Sequence, residues 1–152
     1  MTDREVRRAL TELQVVWLTL WGEARSESIE GIVAVASVIR NRVVRRGQSY
    51  RKVCLQPWQF SCWMERGGPA NYRHVMRIAR QLAEDRQVRW TRVLEECGVI
   101  AQATMRERLR DRTAGSDHYC TTRLWSTRPP RWARGQEPVA TVGAHVFFTL
   151  ES

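Results

Sequence analysis

The chain has 152 residues, 43% hydrophobic and 27% charged, with a formal net charge of +9. That length suits one domain, able to bury about 68–70% of its extended-chain surface without metal or disulfide staples. These proportions exclude a disordered tail, a collagen-like rod and a small disulfide scaffold, and no run of about 18 apolar residues is present to span a membrane.

Thr2-Asp3-Arg4-Glu5 has the form of a capping box. Leu10, Leu13, Val16, Trp17 and Leu20 follow at helical spacing, which predicts one helix from about residue 3 to about residue 22. Its start is polar and its end apolar, so its second half belongs deep in the core. Ser26-Glu27-Ser28 breaks the pattern, and either serine suits an N-cap. Ile29, Ile32, Val33, Ala36, Ile39 and Val43 then share one helical face, with Gly47 as the stop. Arg40, Arg42, Arg45 and Arg46 fall in the last turns, where cations favour the helix dipole.

From Gln48 to Ala70 the periodicity is lost, which predicts a loop or short β excursion. Helices are expected again over about 71–86 and about 91–110, with Arg77, Arg80, Arg86 and His74 on solvated faces. Gly115 to Pro138 reads as irregular, and Val139 to Leu150 as a terminal strand. The fold class is α+β, mostly α with a small β portion.

The charge is lopsided: 25 Lys+Arg face 16 Asp+Glu, and Lys52 is the only lysine. Such a balance steers a protein toward polyanions. The basic residues are spread along the chain and form no zinc-finger or RNP-type motif, which argues against a dedicated nucleic-acid-binding module. Cys54, Cys62, Cys97 and Cys120 lack paired spacing and read as buried thiols. A zinc site from Cys97, His118, Cys120 and His145 lacks the usual ligand pairs, so no metal or other cofactor is assigned.

Glu23 is the most informative residue. It stands in Trp21-Gly22-Glu23-Ala24-Arg25, where an apolar helix ends. A carboxyl half-buried beside tryptophan has its charged form disfavoured, as a general acid near neutral pH requires. Residue type and spacing alone favour a surface ion pair with Arg25 or another arginine. Glu27 and Glu30 would share its face only if the helix ran on. Gln56 to Trp63 interleaves amides and a hydroxyl with aromatics, which suits either a sugar or a core plug.

The text around Glu23, with Glu27, Glu30 and Gly31, is followed by Ala34-Val35-Ala36 and Asn41-Arg42-Val43. Next come Gln56-Pro57-x-Gln59-Phe60-Ser61 and Asp111-x-Thr113-x-Gly115-x-x-His118-Tyr119. Pro130-x-Trp132 and Gly143-x-His145-Val146-Phe147 close the series. In this order, over nearly the whole chain, they resemble the SleB/CwlJ-type cell-wall hydrolases, the germination-specific peptidoglycan lytic enzymes and their phage relatives. The resemblance implies one lysozyme-like catalytic domain, residues 1–152, that acts on peptidoglycan. It implies Glu23 as the catalytic acid, and Gln59, Phe60, Ser61, His118, Tyr119, Trp132 and His145 as substrate-binding residues.

The bond expected to be cut joins N-acetylmuramic acid to N-acetylglucosamine. A lytic transglycosylase needs only Glu23; a hydrolytic muramidase or glucosaminidase would want a second carboxylate, for which Asp117, Glu27 and Glu30 are the candidates. An amidase on the same polymer is the other enzymatic alternative. Thr121 to Pro129 is longer and richer in arginine and tryptophan than the family pattern. The N-terminus lacks the apolar core of a secretory signal. The first departure bears on the outer subsites of the cleft; the missing signal, with no separate wall-binding domain, points to a monomeric phage endolysin. It would be held in the host cytoplasm until a holin opens the membrane, then act on the wall in the periplasm. Its charge would help it dwell on anionic outer-membrane or lipopolysaccharide surfaces.

Overall fold

The computed structural model describes residues 1–151. The Thr2 capping box forms and starts α1 (Asp3–Ala9), but the helix does not continue. Leu10 is extended, and Thr11 starts α2 (Glu12–Ala24) with a second capping box closed by Gln14. The single long helix expected here is therefore two. Reciprocal Thr11–Gln14 bonding satisfies backbone donors that a continuous helix would have used internally. Freed from α1, α2 runs through the core, with Val15, Val16, Leu18 and Leu20 fully buried. Each such side chain contributes about 1.5–3 kcal/mol.

The Ser28 hydroxyl accepts from Gly31 N–H and starts α3 (Ile29–Arg46), which ends on Gly47 at φ 58°. That left-handed stop is where glycine belongs. The next segment corrects the expectation of a loop or β excursion. Ser49 caps a short helix, α4 (Tyr50–Leu55), and two 3-10 turns follow at Ser61–Trp63 and Glu65–Gly67. Pro69 then opens α5 (Pro69–Ala83), and Thr91 caps α6 (Arg92–Met105).

The C-terminal part holds β1 (His118–Thr121), α7 (Thr122–Thr127), a 3-10 turn at Arg131–Ala133, β2 (Ala140–Val142) and β3 (His145–Phe148). The expected single terminal strand is a hairpin, because Gly143 at φ 55° turns the chain back. The sheet is antiparallel in the order β1-β3-β2, with Tyr119 opposite Phe147 and Val142 opposite His145. One core fills the helical body. A second, of Cys120, Ala133, Val146 and Phe148, lies under Trp125 and Trp132. Phe147 packs on Ala34 and Val38 and so holds the sheet against α3. No described helix is long and apolar enough to cross a membrane.

Candidate active site

A cleft of about 510 Å³ opens between the helical body and the sheet. Glu23, in the last turn of α2, lines it with Gln59, Ser61, His118, Tyr119 and Trp132, and with His145. The packing of the helical wall depends on Gly22. A Cβ there would lie 2.6 Å from Cys62 Cβ, so only glycine lets the Ser61–Trp63 turn sit on α2. Trp63 Nε1 donates to Thr19 Oγ1 at 2.8 Å and pins the turn. The open carbonyls at the end of α2 are also satisfied: Asn71 donates to Gly22 O, and Arg25 donates to Trp21 O and Gly22 O.

Glu23 has few polar partners. Burial pushes its carboxyl up to about 7 from an ordinary 4.5, and Ser61 and Arg42 only partly oppose this. The Ser61 hydroxyl lies 3.5 Å from Oε2. The expected alternative of a surface pair with Arg25 does not form: that guanidinium lies over the Trp21 ring, 4.3 Å from its centroid. Across the cleft, burial first and then Glu23 raise the Tyr119 phenol, which stays an O–H donor. Tyr119 meets His145 edge-on at 5.1 Å, and His118 tilts against Trp132 at 5.1 Å.

Other expected site residues lie elsewhere. Phe60 is 1% exposed and packs beneath Arg42 rather than lining the cleft. Asp117 is fully buried. Its oxygens accept from the Leu150 and Glu151 N–H groups, Arg45 and His118. Burial raises its carboxyl, but these bonds outweigh that and hold it below the usual range. Glu27 lies under the hairpin, its Oε1 2.7 Å from His145 Nδ1. Burial lowers the imidazole, against the pull of Glu27. Glu30 is exposed on α3. Among the described residues that line the cleft, Glu23 is the one carboxylate.

Arg42, expected only as one of the cations in the last turns of the helix, turns inward. It is 4% exposed, donates to Asp117 O at 2.6 Å and reaches the cleft. Met64 and Leu124 also line the cleft and were not picked out by the sequence, and Trp58, Thr121 and Pro130 line it from segments the sequence singled out without naming them as site residues. Trp58 carries a signal only the backbone reveals: it is 72% exposed at φ 67°. Cys97, His118, Cys120 and His145 do not come together. The described group with metal-ligand spacing is Asp117, His118 and Glu151, whose carboxylates already serve Arg45 and Arg46. All four cysteines are free and buried, and burial pushes the Cys54 and Cys97 thiols up to about 12.

A helical body faced by a small sheet across an acid-bearing cleft is a lysozyme-like arrangement. Two solved structures share it. The catalytic domain of the Bacillus cereus SleB protein matches at a TM-score of 0.60 and 20% identity, over 91% of this chain and 89% of that one. The catalytic domain of the germination-specific lytic transglycosylase SleB from Bacillus anthracis matches at 0.60 and 20%, over 91% and 93%. Comparison with curated proteins gave no match. The family model described as Cell Wall Hydrolase matches residues 26–148, and the chain belongs to the cell wall hydrolase family. That span begins just after Glu23 and does not include it.

Proposed function

We propose that this cell wall hydrolase cuts the peptidoglycan glycan strand between N-acetylmuramic acid and N-acetylglucosamine as a lytic transglycosylase. The observation that carries this is a lone cleft carboxyl whose burial holds it near neutral pKa. Such a group is a general acid at the pH of the cell. Glu23 gives its proton to the glycosidic oxygen, and the C1–O bond breaks with its electrons going to that oxygen. The muramyl C1 passes through an oxocarbenium-like state. The C6 hydroxyl of the same sugar then attacks C1, and the Glu23 carboxylate takes the hydroxyl proton. A 1,6-anhydro sugar forms, Glu23 is again protonated, and no water or second carboxylate is consumed. The name of the Bacillus anthracis relative supports this outcome.

Gln59, Ser61, His118, Tyr119, Trp132 and His145 bind the strand, with rings against sugar faces and polar groups on hydroxyl and acetamido oxygens. The test is a peptidoglycan digest read by mass spectrometry, with Glu23→Gln alongside. Anhydro-muropeptides are expected from the wild type, and a loss of about 10²–10⁴-fold from the variant. Reducing-end sugars would mean hydrolysis, and released stem peptides on an intact glycan would mean an amidase.

A phage endolysin role belongs to the same proposal, supported by the net charge of +9, which suits an anionic envelope. Expression with a holin should lyse a host, and expression alone should not.

A further inference from the structure

Two carboxylates that stay out of the cleft stand behind histidines that line it. His118 Nδ1 lies 2.8 Å from Asp117 Oδ1, and His145 Nδ1 lies 2.7 Å from Glu27 Oε1. The two backings differ. Asp117 also serves two backbone N–H groups and Arg45, and that bracing accounts for it. Glu27 Oε1 and His145 Nδ1 are both closed to solvent, and neither has any other polar partner among the described residues. A carboxylate oxygen buried against a single neighbour calls for an explanation.

The fold aims Glu27 at that neighbour. It precedes Ser28, the N-cap of α3, where the helix dipole favours an ionised carboxyl. A Cβ at Gly31 would lie 2.8 Å from Glu27 Cβ, so glycine leaves the room in which Glu27 turns toward the hairpin. The hairpin delivers His145 at the head of β3. Burial favours the neutral imidazole. Two lone pairs cannot face each other at 2.7 Å, so against an ionised Glu27 the one ring proton sits on Nδ1. Nε2 is left as an acceptor. With Nδ1 enclosed, the other edge of the ring is the part that lines the cleft.

We propose that Glu27 is a positioning residue that fixes the tautomer of His145, and that His145 Nε2 accepts the acetamido N–H of the sugar bound beside Glu23. The proposal rests on the glycan reading of the cleft. His145 stands at the Glu23 end, because it packs edge-on against Tyr119, whose phenol is raised by Glu23. His118 tilts against Trp132 instead. A sugar hydroxyl can turn to suit a donor or an acceptor, whereas an amide N–H can only donate. A fixed acceptor therefore selects N-acetyl sugars. With the tautomer reversed, Nε2–H would face the amide N–H and both would lose a partner.

The test reads the imidazole nitrogens of the full chain by NMR near neutral pH, with the His145 signals assigned from His145→Gln. The wild type should show a protonated Nδ1 and a bare Nε2. Added tri-N-acetylchitotriose should move the Nε2 signal saturably, and cellotriose, which has hydroxyls but no acetamido group, should move it far less. In Glu27→Met the proton should pass to Nε2, and KM for glycan should rise about tenfold, as for one lost hydrogen bond, with kcat within a few-fold. A protonated Nε2 in the wild type, no response to chitotriose, an equal response to cellotriose, or an unchanged tautomer in Glu27→Met overturns the proposal. If Glu27→Met does not fold, the wild-type spectra still decide. The tautomer is read without substrate or turnover, so a wild type that cuts no glycan would count against the reaction assigned to the cleft and not against the pairing of Glu27 with His145.

Discussion

Glu23 on the helical wall and Asp117 at the edge of the sheet wall are both carboxylates taken out of water, and their ionisation goes opposite ways. Glu23 has only Ser61, whose hydroxyl lies 3.5 Å away, and the charge of Arg42 to oppose its burial, and its carboxyl rises to about 7. Asp117 has no exposed side-chain surface, yet it accepts two backbone N–H groups and sits 3.1 Å from Arg45, and its carboxyl falls. Burial alone therefore does not decide the charge; the donors within reach do. The helical wall withholds donors and keeps a proton to give away. The sheet wall supplies them and converts a carboxylate into a brace that joins α3 to the chain end and holds His118 at 2.8 Å.

The strongest way to break this contrast is Asp117→Asn. The amide would set its own donors against N–H groups and leave Arg45 without its partner. A loss of about 3–5 kcal/mol in a urea melt is expected, with cleavage per folded molecule retained within a few-fold. The stabilising bonds need the ionised form, so they act above the ordinary carboxylate pKa and fade as pH falls through the depressed one. If the Asp117→Asn variant were stable but cleaved nothing, Asp117 would instead be part of the chemistry.

Gly22→Ala tests the helical wall. The new methyl would meet Cys62 Cβ at 2.6 Å and Val75 Cγ2 at 2.9 Å, which are not flexible ends that can swing away. Overpacking of this kind costs about 1–3 kcal/mol. It also pushes Ser61 from Glu23, so turnover should fall more than stability accounts for. Equal melting of variant and wild type would show that the helical wall is not held by this contact.

The pH dependence sharpens the same comparison. Cleavage should decline as pH rises through about 7, approaching tenfold per unit on the alkaline limb as the acid form is lost. In folding, the raised carboxyl adds stability below its ordinary 4.5 and loses it as pH climbs through about 7. Glu23→Gln should thus melt above the wild type at pH 8 and alongside it at pH 4. A wild type whose cleavage is flat from pH 6 to 9 would remove Glu23 as the acid.

Sequence made Glu23 visible because its signal is local: a carboxylate where an apolar helix stops. The Ser28 and Gly47 boundaries of α3 were visible for the same reason. The division between α1 and α2 was hidden because Leu10, Leu13 and Val16 keep helical spacing across it, and only the Thr11–Gln14 pair marks the restart. Arg42 was hidden more deeply. Its acceptor lies 75 residues away, and spacing alone groups it with the other arginines at the end of α3. Phe60 and Asp117 stand inside the right motifs, yet their side chains face the core and the brace. A motif locates a segment, while packing decides which of its side chains reach the cleft.

Trp58 carries the smallest effect and separates binding from folding most cleanly. A bulky side chain at φ 67° costs about 1–2 kcal/mol, and its ring is 72% exposed at the cleft rim. Strain held without burial in return is a mark of function. Trp58→Gly removes the strain but frees the unfolded chain, so a gain of at most about 1 kcal/mol is expected. The same change removes a stacking platform. KM for long glycan strands should rise several-fold, while short fragments that do not reach the rim turn over as before. A melt that falls by more than about 1 kcal/mol would show that the indole holds its own loop together, and the strain would then belong to the fold rather than to the substrate.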